Sequence, residues 1–258
     1  MYEAELMSGF IEAEAGPGGI AIVSLNRPAK LNAITHNMRH DLAKVFARLD
    51  ADDSVKVIVI RGLGKCFSVG SDLYDLRQTP KSDVLGASQR ARKTRPPWFE
   101  MIWDNDKPVI AQVHSYCLGA ATEIASVCDL TICSSDSVFG WPEIEPGGTP
   151  ATVWPYLLGY KRSSALLHQY VKFGASAAEQ YGLVSQIVSA EDLEAAVSEA
   201  AKRITARPLS SIVFTKMSIH RAFEEMGIRE ALSASRQLNV MANADNYTPA
   251  QPKEAGPG

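Results

Sequence analysis

The chain has 258 residues, 46% of them apolar and 21% charged, which suits one sizeable globular domain with at most a small appendage. Lys and Arg number 26 against 29 Asp and Glu, a net charge of −3, which gives no broad basic surface for nucleic acid. No apolar run approaches the roughly 18 residues of a membrane helix.

The elements follow in chain order. The acidic opening, Met1-Tyr2-Glu3-Ala4-Glu5, does not read as an export signal. Ile20–Leu25 is rich in β-branched residues and stops at the turn Asn26-Arg27-Pro28. Asn37–Leu49 carries apolar residues at Met38, Leu42, Val45, Phe46 and Leu49, a helical spacing. Val55–Ile60 is a short strand of the buried type. Arg77–Pro97 is polar and expected to be a loop or a loose helix. Pro108–Val113 is a further strand, turned by Leu118-Gly119-Ala120-Ala121 into the helix Ala121–Val127. The strand Leu130–Cys133 follows. Beyond Lys161 the pattern becomes helical, over Ser163–Tyr170, Ala177–Gly182, Glu191–Ala206 and Leu209–Met226. The Pro- and Gly-rich end, Pro249–Gly258, is expected to be disordered. Strand, helix and strand in alternation predict an α/β layered core with crossover connections.

Cys66, Cys117, Cys128 and Cys133 form no CxxC pair and no zinc-ligand spacing, so they read as reduced thiols of a cytoplasmic protein. His36 and His40 lie one helical turn apart and suit a solvated face better than a metal. No metal site is expected. His114 reads as a packed residue of its strand.

Two segments could stabilise an anion with main-chain amides: Phe67-Ser68-Val69-Gly70-Ser71-Asp72-Leu73 and Leu118-Gly119-Ala120-Ala121-Thr122-Glu123. Small residues let a ligand approach the backbone, and the first amides of a helix have no partner within it. Such turns also serve as plain packing devices. Glu123 opens its helix among Ala120, Ala121, Ile124 and Ala125. A carboxyl buried there would have a raised pKa, which proton transfer exploits. Glu143 sits in a similar apolar setting, Phe139-Gly140-Trp141-Pro142-Glu143-Ile144, and two acids facing one cavity could pass protons to and from a substrate.

Five ordered segments resemble the crotonase superfamily, the enoyl-CoA hydratase/isomerase family. They are Asn26–Ile34, Lys65–Leu73, the run from Lys107 through Gly119–Ala125 to Cys128-Asp129, Phe139–Ile144, and Ala178–Val184. The resemblance implies a spiral of stacked ββα units, with the core and active site in residues 1–195. It implies a C-terminal helical trimerisation region in residues 196–258. It also implies an acyl-thioester substrate, normally of coenzyme A, whose enolate oxygen is held by the backbone amides of Ser71 and Ala120. Glu123 and Glu143 correspond to the two glutamates of the hydratases. Lys30, Leu31, Ala33, Val69, Asp72 and Leu73 match substrate- and CoA-binding positions. No cofactor is implied beyond the coenzyme A of the substrate, and the expected assembly is a homotrimer or a dimer of trimers.

The reading is therefore an enoyl-CoA hydratase-type lyase of fatty acid metabolism. Its alternatives are an enoyl-CoA isomerase, a carbon–carbon hydrolase of a cyclic β-diketone, or a non-catalytic acyl-CoA-binding homologue. Three departures from the family pattern bear on substrate and assembly. Gly119-Ala120-Ala121 replaces a triple glycine, and Ala151–Gly159 is short and bulky. Residues 239–249 lack the usual final helix. Trp98, Trp103, Trp141, Trp154 and Tyr156 suit either a bulky acyl group or the core.

Overall fold

The computed structural model describes residues 9–16, 18–78, 100–141 and 153–234. Two sheets organise them. The larger has six strands: β1 (Ile11–Ala15), β2 (Ile20–Leu25), β3 (Val57–Gly62), β4 (Val109–Val113), β6 (Leu130–Ser134) and β9 (Gln186–Val188), side by side in that order. Only β1 runs antiparallel to its neighbour; the other four pairings are parallel. The smaller sheet holds β5 (Tyr116–Leu118), β7 (Val138–Gly140) and β8 (Lys172–Gly174).

From β4 to β7 consecutive strands alternate between the sheets. β4 leads into β5 through Ser115, which takes a left-handed conformation at φ 52°, and β6 leads into β7 through a two-hydroxyl corner. There Ser134 Oγ lies 3.0 Å from Ser137 Oγ. These two windings thus contribute one strand to each layer, and helix α4 (Ala120–Val127) follows β5 to complete a ββα unit. This is the α/β spiral expected above.

The central parallel strands β3, β4 and β6 are largely buried on both faces, so their apolar runs are nearly continuous. In β3, Ile58 and Ile60 face the main core, together with Met38, Leu42, Val45, Phe46 and Leu49 of α1 (His36–Ala51). Val57 and Val59 face the other side, where Leu193, Val197, Ala200 and Ala201 of α8 (Leu193–Thr205) cover them. The division after residue 195 drawn from the sequence falls inside this helix. Thr35 caps α1, its hydroxyl accepting from the Met38 amide at 3.2 Å.

The remaining helices are short α2 (Leu73–Gln78), α3 (Glu100–Trp103), α5 (Trp154–Leu158), α6 (Tyr160–Gln169) and α7 (Ala175–Gln180), then the longer α9 (Leu209–Glu225). An ion pair between buried Lys216 and half-buried Asp129 ties α9 to the core. Lys216 Nζ donates to Asp129 Oδ2 at 2.9 Å and to the carbonyl of Lys107 at 3.1 Å, and the His220 ring stacks on Trp103 with centroids 4.0 Å apart. Among the described residues no helix is long and apolar enough to cross a membrane. Most of Arg77–Pro97, along with Trp98 and the tail Pro249–Gly258, lies outside the described residues.

Candidate active site

Asn32 is the hub of the first candidate segment. Fully buried and left-handed at φ 54°, it shares its Nδ2 hydrogens among the carbonyls of Leu63, Cys66 and Phe67, at 2.9, 2.9 and 3.1 Å. Its Oδ1 accepts from the Arg27 amide at 2.9 Å. Its own carbonyl accepts from Ser68 Oγ at 2.8 Å, and that oxygen in turn accepts from the Gly70 amide at 3.0 Å. The segment is thereby drawn alongside β5, with the Ser68 amide donating to the Tyr116 carbonyl and the Leu118 amide to the Ser68 carbonyl.

The Ile34–Ser71 bridge orients the first amide. Ile34 donates to the Gly70 carbonyl at 2.7 Å and accepts from the Asp72 amide at 2.9 Å. Because successive N–H groups of an extended chain alternate in direction, the Ser71 amide faces away from that bridge. Asp72 is engaged in holding the turn: its Oδ2 accepts from Arg27 Nη1 at 2.5 Å and its Oδ1 from the Asp75 amide at 3.0 Å. Burial raises its pKa, but the Asp75 amide and the Arg27 guanidinium outweigh that and hold it below the usual carboxylate value.

The second amide begins α4. Gly119, at φ 54°, donates to the Gly140 carbonyl at 2.9 Å, which leaves Ala120 as the first helical residue, with no intrahelical acceptor for its N–H. Gly70, at φ +92°, lies directly against this turn. A methyl group on Gly70 would sit 2.6 Å from the Leu118 carbonyl oxygen and 2.9 Å from the Ala120 nitrogen. Glycine at 70 is therefore a condition of bringing the two turns together.

Glu123 lies one helical turn beyond Ala120 and so shares its side of α4. It is half-buried, as suits a group lining a cleft. Burial pushes its carboxyl up to about 8, and the Arg39 cation works in the opposite direction. Arg39 comes from α1 and donates through Nη2 to Ser71 Oγ at 2.8 Å. Burial lowers its pKa, while Glu123 and Asp75 act to raise it. α4 is held at both ends. Thr122 Oγ1 donates to the Gly119 carbonyl at 2.7 Å, Ser126 Oγ accepts from Trp154 Nε1 at 3.0 Å, and Asp129 Oδ2 accepts from the Val109 amide at 2.7 Å. Such a site could bind an oxyanion at two amides and move a proton at a carboxyl beside them.

The structure thus brings Ser71, Ala120 and Glu123 together, whereas Glu143 lies outside the described residues. Leu31 and Ala33 flank the hub, and the Val69 amide donates to the Leu31 carbonyl at 3.1 Å. Lys30 is exposed, and Leu31 and Leu73 expose 37% and 43% of their surface, which is open apolar area beside the site. His114 directs Nε2 to the Gly64 carbonyl at 3.0 Å, away from a proton-transfer role. Trp154 is core and Trp103 packs on His220. Among the described residues no cluster of His, Cys, Asp and Glu is arranged for a metal. Arg39 escaped the sequence reading. Its signal was a base at helical spacing with Leu42, Phe46 and Leu49, on the inward stripe of α1.

Comparison with known proteins agrees with this fold. The family model described as enoyl-CoA hydratase/isomerase matches residues 15–248. A mevalonyl-coenzyme A hydratase of Aspergillus fumigatus is 30% identical over 83% of this chain and 80% of its own. A short-chain-enoyl-CoA hydratase of Clostridium acetobutylicum is 28% identical over 92% and 94%. A crystal structure of an enoyl-CoA hydratase/isomerase from Xanthobacter autotrophicus Py2 superposes with a TM-score of 0.83 at 30% identity, covering 90% of this chain and 87% of that one.

Proposed function

The chain belongs to the enoyl-CoA hydratase/isomerase family, and from that premise we propose that it is a hydratase-type lyase adding water to a 2-enoyl-CoA. The observation that carries this reading is the placement of a desolvated carboxyl, Glu123, one turn from a main-chain donor that abuts a second donor turn. The thioester oxygen would accept from the Ser71 and Ala120 amides. Glu123, as carboxylate, would take a proton from water while the water oxygen bonds to C3, and the electron pair of the double bond would move onto the thioester oxygen as an enolate. Glu143, assigned by its place in the sequence, would return a proton to C2 as the enolate collapses. Removing one oxyanion donor typically costs about 10²–10³ in rate.

Lys30, Leu31, Ala33, Val69 and Leu73 would line the coenzyme A side, and the open apolar surface of Leu31 and Leu73 supports that role. Asp72 would act there through the turn it fixes. Phe214, Met217, Ile219 and Met226 expose more than half their surface on or just after α9, which supports a subunit interface in a homotrimer or dimer of trimers. Mass in solution tests that assembly, and a monomer would exclude it. The four free cysteines suit a reducing, cytoplasmic compartment.

Loss of the enoyl absorbance band of crotonyl-CoA tests the activity. Turnover that falls at least a hundredfold in Glu123→Gln and in Glu143→Gln supports the assignment. Near-normal turnover in either variant defeats it. Saturable binding without turnover would make the chain a binder, and action on a coenzyme-free cyclic β-diketone would make it a carbon–carbon hydrolase.

A further inference from the structure

Arg39 is a cation built into the wall of the site, and the water-addition chemistry as described does not use it. It projects from α1, whose buried side chains are apolar apart from Asp41, and reaches the hydroxyl of Ser71 at 2.8 Å. Ser71 carries one of the two main-chain donors. The residue before it, Gly70, presses on the nitrogen that carries the other. Glu123 stands one turn further along the same helix. Arg39 therefore bonds the side chain of the residue that carries one donor, and its charge acts on the Glu123 carboxyl one turn from the other.

We propose that Arg39 is the positioning residue of this site: its guanidinium pins the Ser71 turn through the hydroxyl and holds a fixed positive charge toward Glu123, keeping that side chain available as a carboxylate. The proposal rests on the hydratase reading for its catalytic meaning, but the coupling of the two side chains can be measured without it.

The surroundings leave this task to Arg39. The elements packed most closely against α4 are α3, β4, β5 and β6, and α5, which reaches it through Trp154, carries Tyr156. β4 carries no titratable side chain, β5 carries Tyr116 and Cys117, β6 carries Cys133, and α3 carries Glu100. Burial holds the Cys117 thiol well above its ordinary value and pushes Cys133 up to about 12, so both stay neutral. Among the described residues the charge acting on Glu123 is that of Arg39. Asp75 also faces Arg39, but its Oδ2 accepts from the His36 amide at 2.6 Å, so that carboxylate is committed to the first turn of α1. A cation desolvated beside a carboxyl acts through a low dielectric and so at greater strength than at a surface. Its rigid planar fork fixes the hydroxyl bond while its charge acts on the carboxylate, whereas a lysine would serve only as a point charge.

The test titrates the Glu123 carboxyl directly in the whole protein. It uses ¹³C-labelled glutamate, with the resonance identified by its loss in Glu123→Gln. Wild type, Arg39→Gln, Arg39→Lys and Ser71→Ala are compared, alongside the pH profile of kcat/KM on crotonyl-CoA. The wild-type midpoint is expected near 8. In Arg39→Gln the midpoint and the acid limb of the profile both move to higher pH, with kcat/KM at pH 7 falling about tenfold for each unit moved. Arg39→Lys restores most of the midpoint. Ser71→Ala, which frees the guanidinium from its anchor, moves it part of the way.

An unmoved midpoint in Arg39→Gln, or a lysine variant displaced as far as the glutamine one, overturns the proposal. Should Arg39→Gln fail to fold, an unmoved midpoint in Ser71→Ala overturns it as well. A midpoint that moves as expected in a protein with no turnover on any enoyl-CoA defeats the hydratase reading and leaves the coupling standing. Turnover with an unmoved midpoint does the reverse.

Discussion

Replacing Glu123 by Gln should make the folded protein respond less to alkali. In the folded chain this carboxyl ionises near 8 because it is desolvated, against 4.5 when unperturbed. Its folded value is the higher one, so between those two values the native state binds more protons than the unfolded state. Stability contributed by the protonated carboxyl is complete below about pH 4.5 and is lost progressively as the pH rises to about 8. Each pH unit between the values is worth about 1.4 kcal/mol, so the full loss is about 5 kcal/mol, and about 4 kcal/mol of it falls between pH 5 and pH 9. The side chain is half-buried and keeps some hydration, which lowers the expected figure to about 2–4 kcal/mol. The assay is urea unfolding of wild type and Glu123→Gln at pH 5, 7 and 9, at one protein concentration. The pH-independent cost of the substitution cancels when the difference at pH 5 is subtracted from that at pH 9. The variant should gain on the wild type by that amount as the pH rises. A difference that stays constant within about 0.5 kcal/mol would refute the claim that this carboxyl is desolvated.

Two further perturbations probe the frame around it. Gly70→Ala puts a methyl group 2.6 Å from the Leu118 carbonyl oxygen and 2.9 Å from the Ala120 nitrogen, at φ +92°. It should cost about 1–3 kcal/mol of stability and separate the two donors, with crotonyl-CoA turnover down about 10²–10³; full turnover would show that the turns need not touch. Lys216→Met leaves the half-buried Asp129 without its 2.9 Å partner and should cost about 2–4 kcal/mol in urea unfolding. Adding Asp129→Asn should recover part of that, and a purely additive double variant would mean the pair is not coupled.

The elements legible in the sequence were those with a strong period or a long run. α1 showed its 3.6-residue stripe, and β2, β3, β4 and β6 showed β-branched runs that two covered faces allow. The three-residue strands β5, β7, β8 and β9 were not legible as strands. Tyr116–Leu118 or Lys172–Gly174 is too short to set a period, and such a strand exists because a neighbour pairs with it. The donor turns could be found from small residues before a helix. Their convergence could not, since it depends on the hydrogen bonds of Asn32 to three carbonyls some thirty residues away. Arg39 looked like an ordinary helix charge, because its meaning lies in Ser71, thirty-two positions further on. The Asp129–Lys216 pair spans eighty-seven positions and had no local signature at all.

The groups that would grip the thioester belong to the peptide backbone, at Ser71 and Ala120, and every amino acid except proline supplies them equally. A survey that trims side chains to alanine one position at a time would therefore leave both donors in place: at residue 71 it would report only the lost hydroxyl that anchors Arg39, and at residue 120 it would find alanine already there. Exchange of a single peptide link for an ester, which deletes the hydrogen and little else, is the surgery that would reveal them.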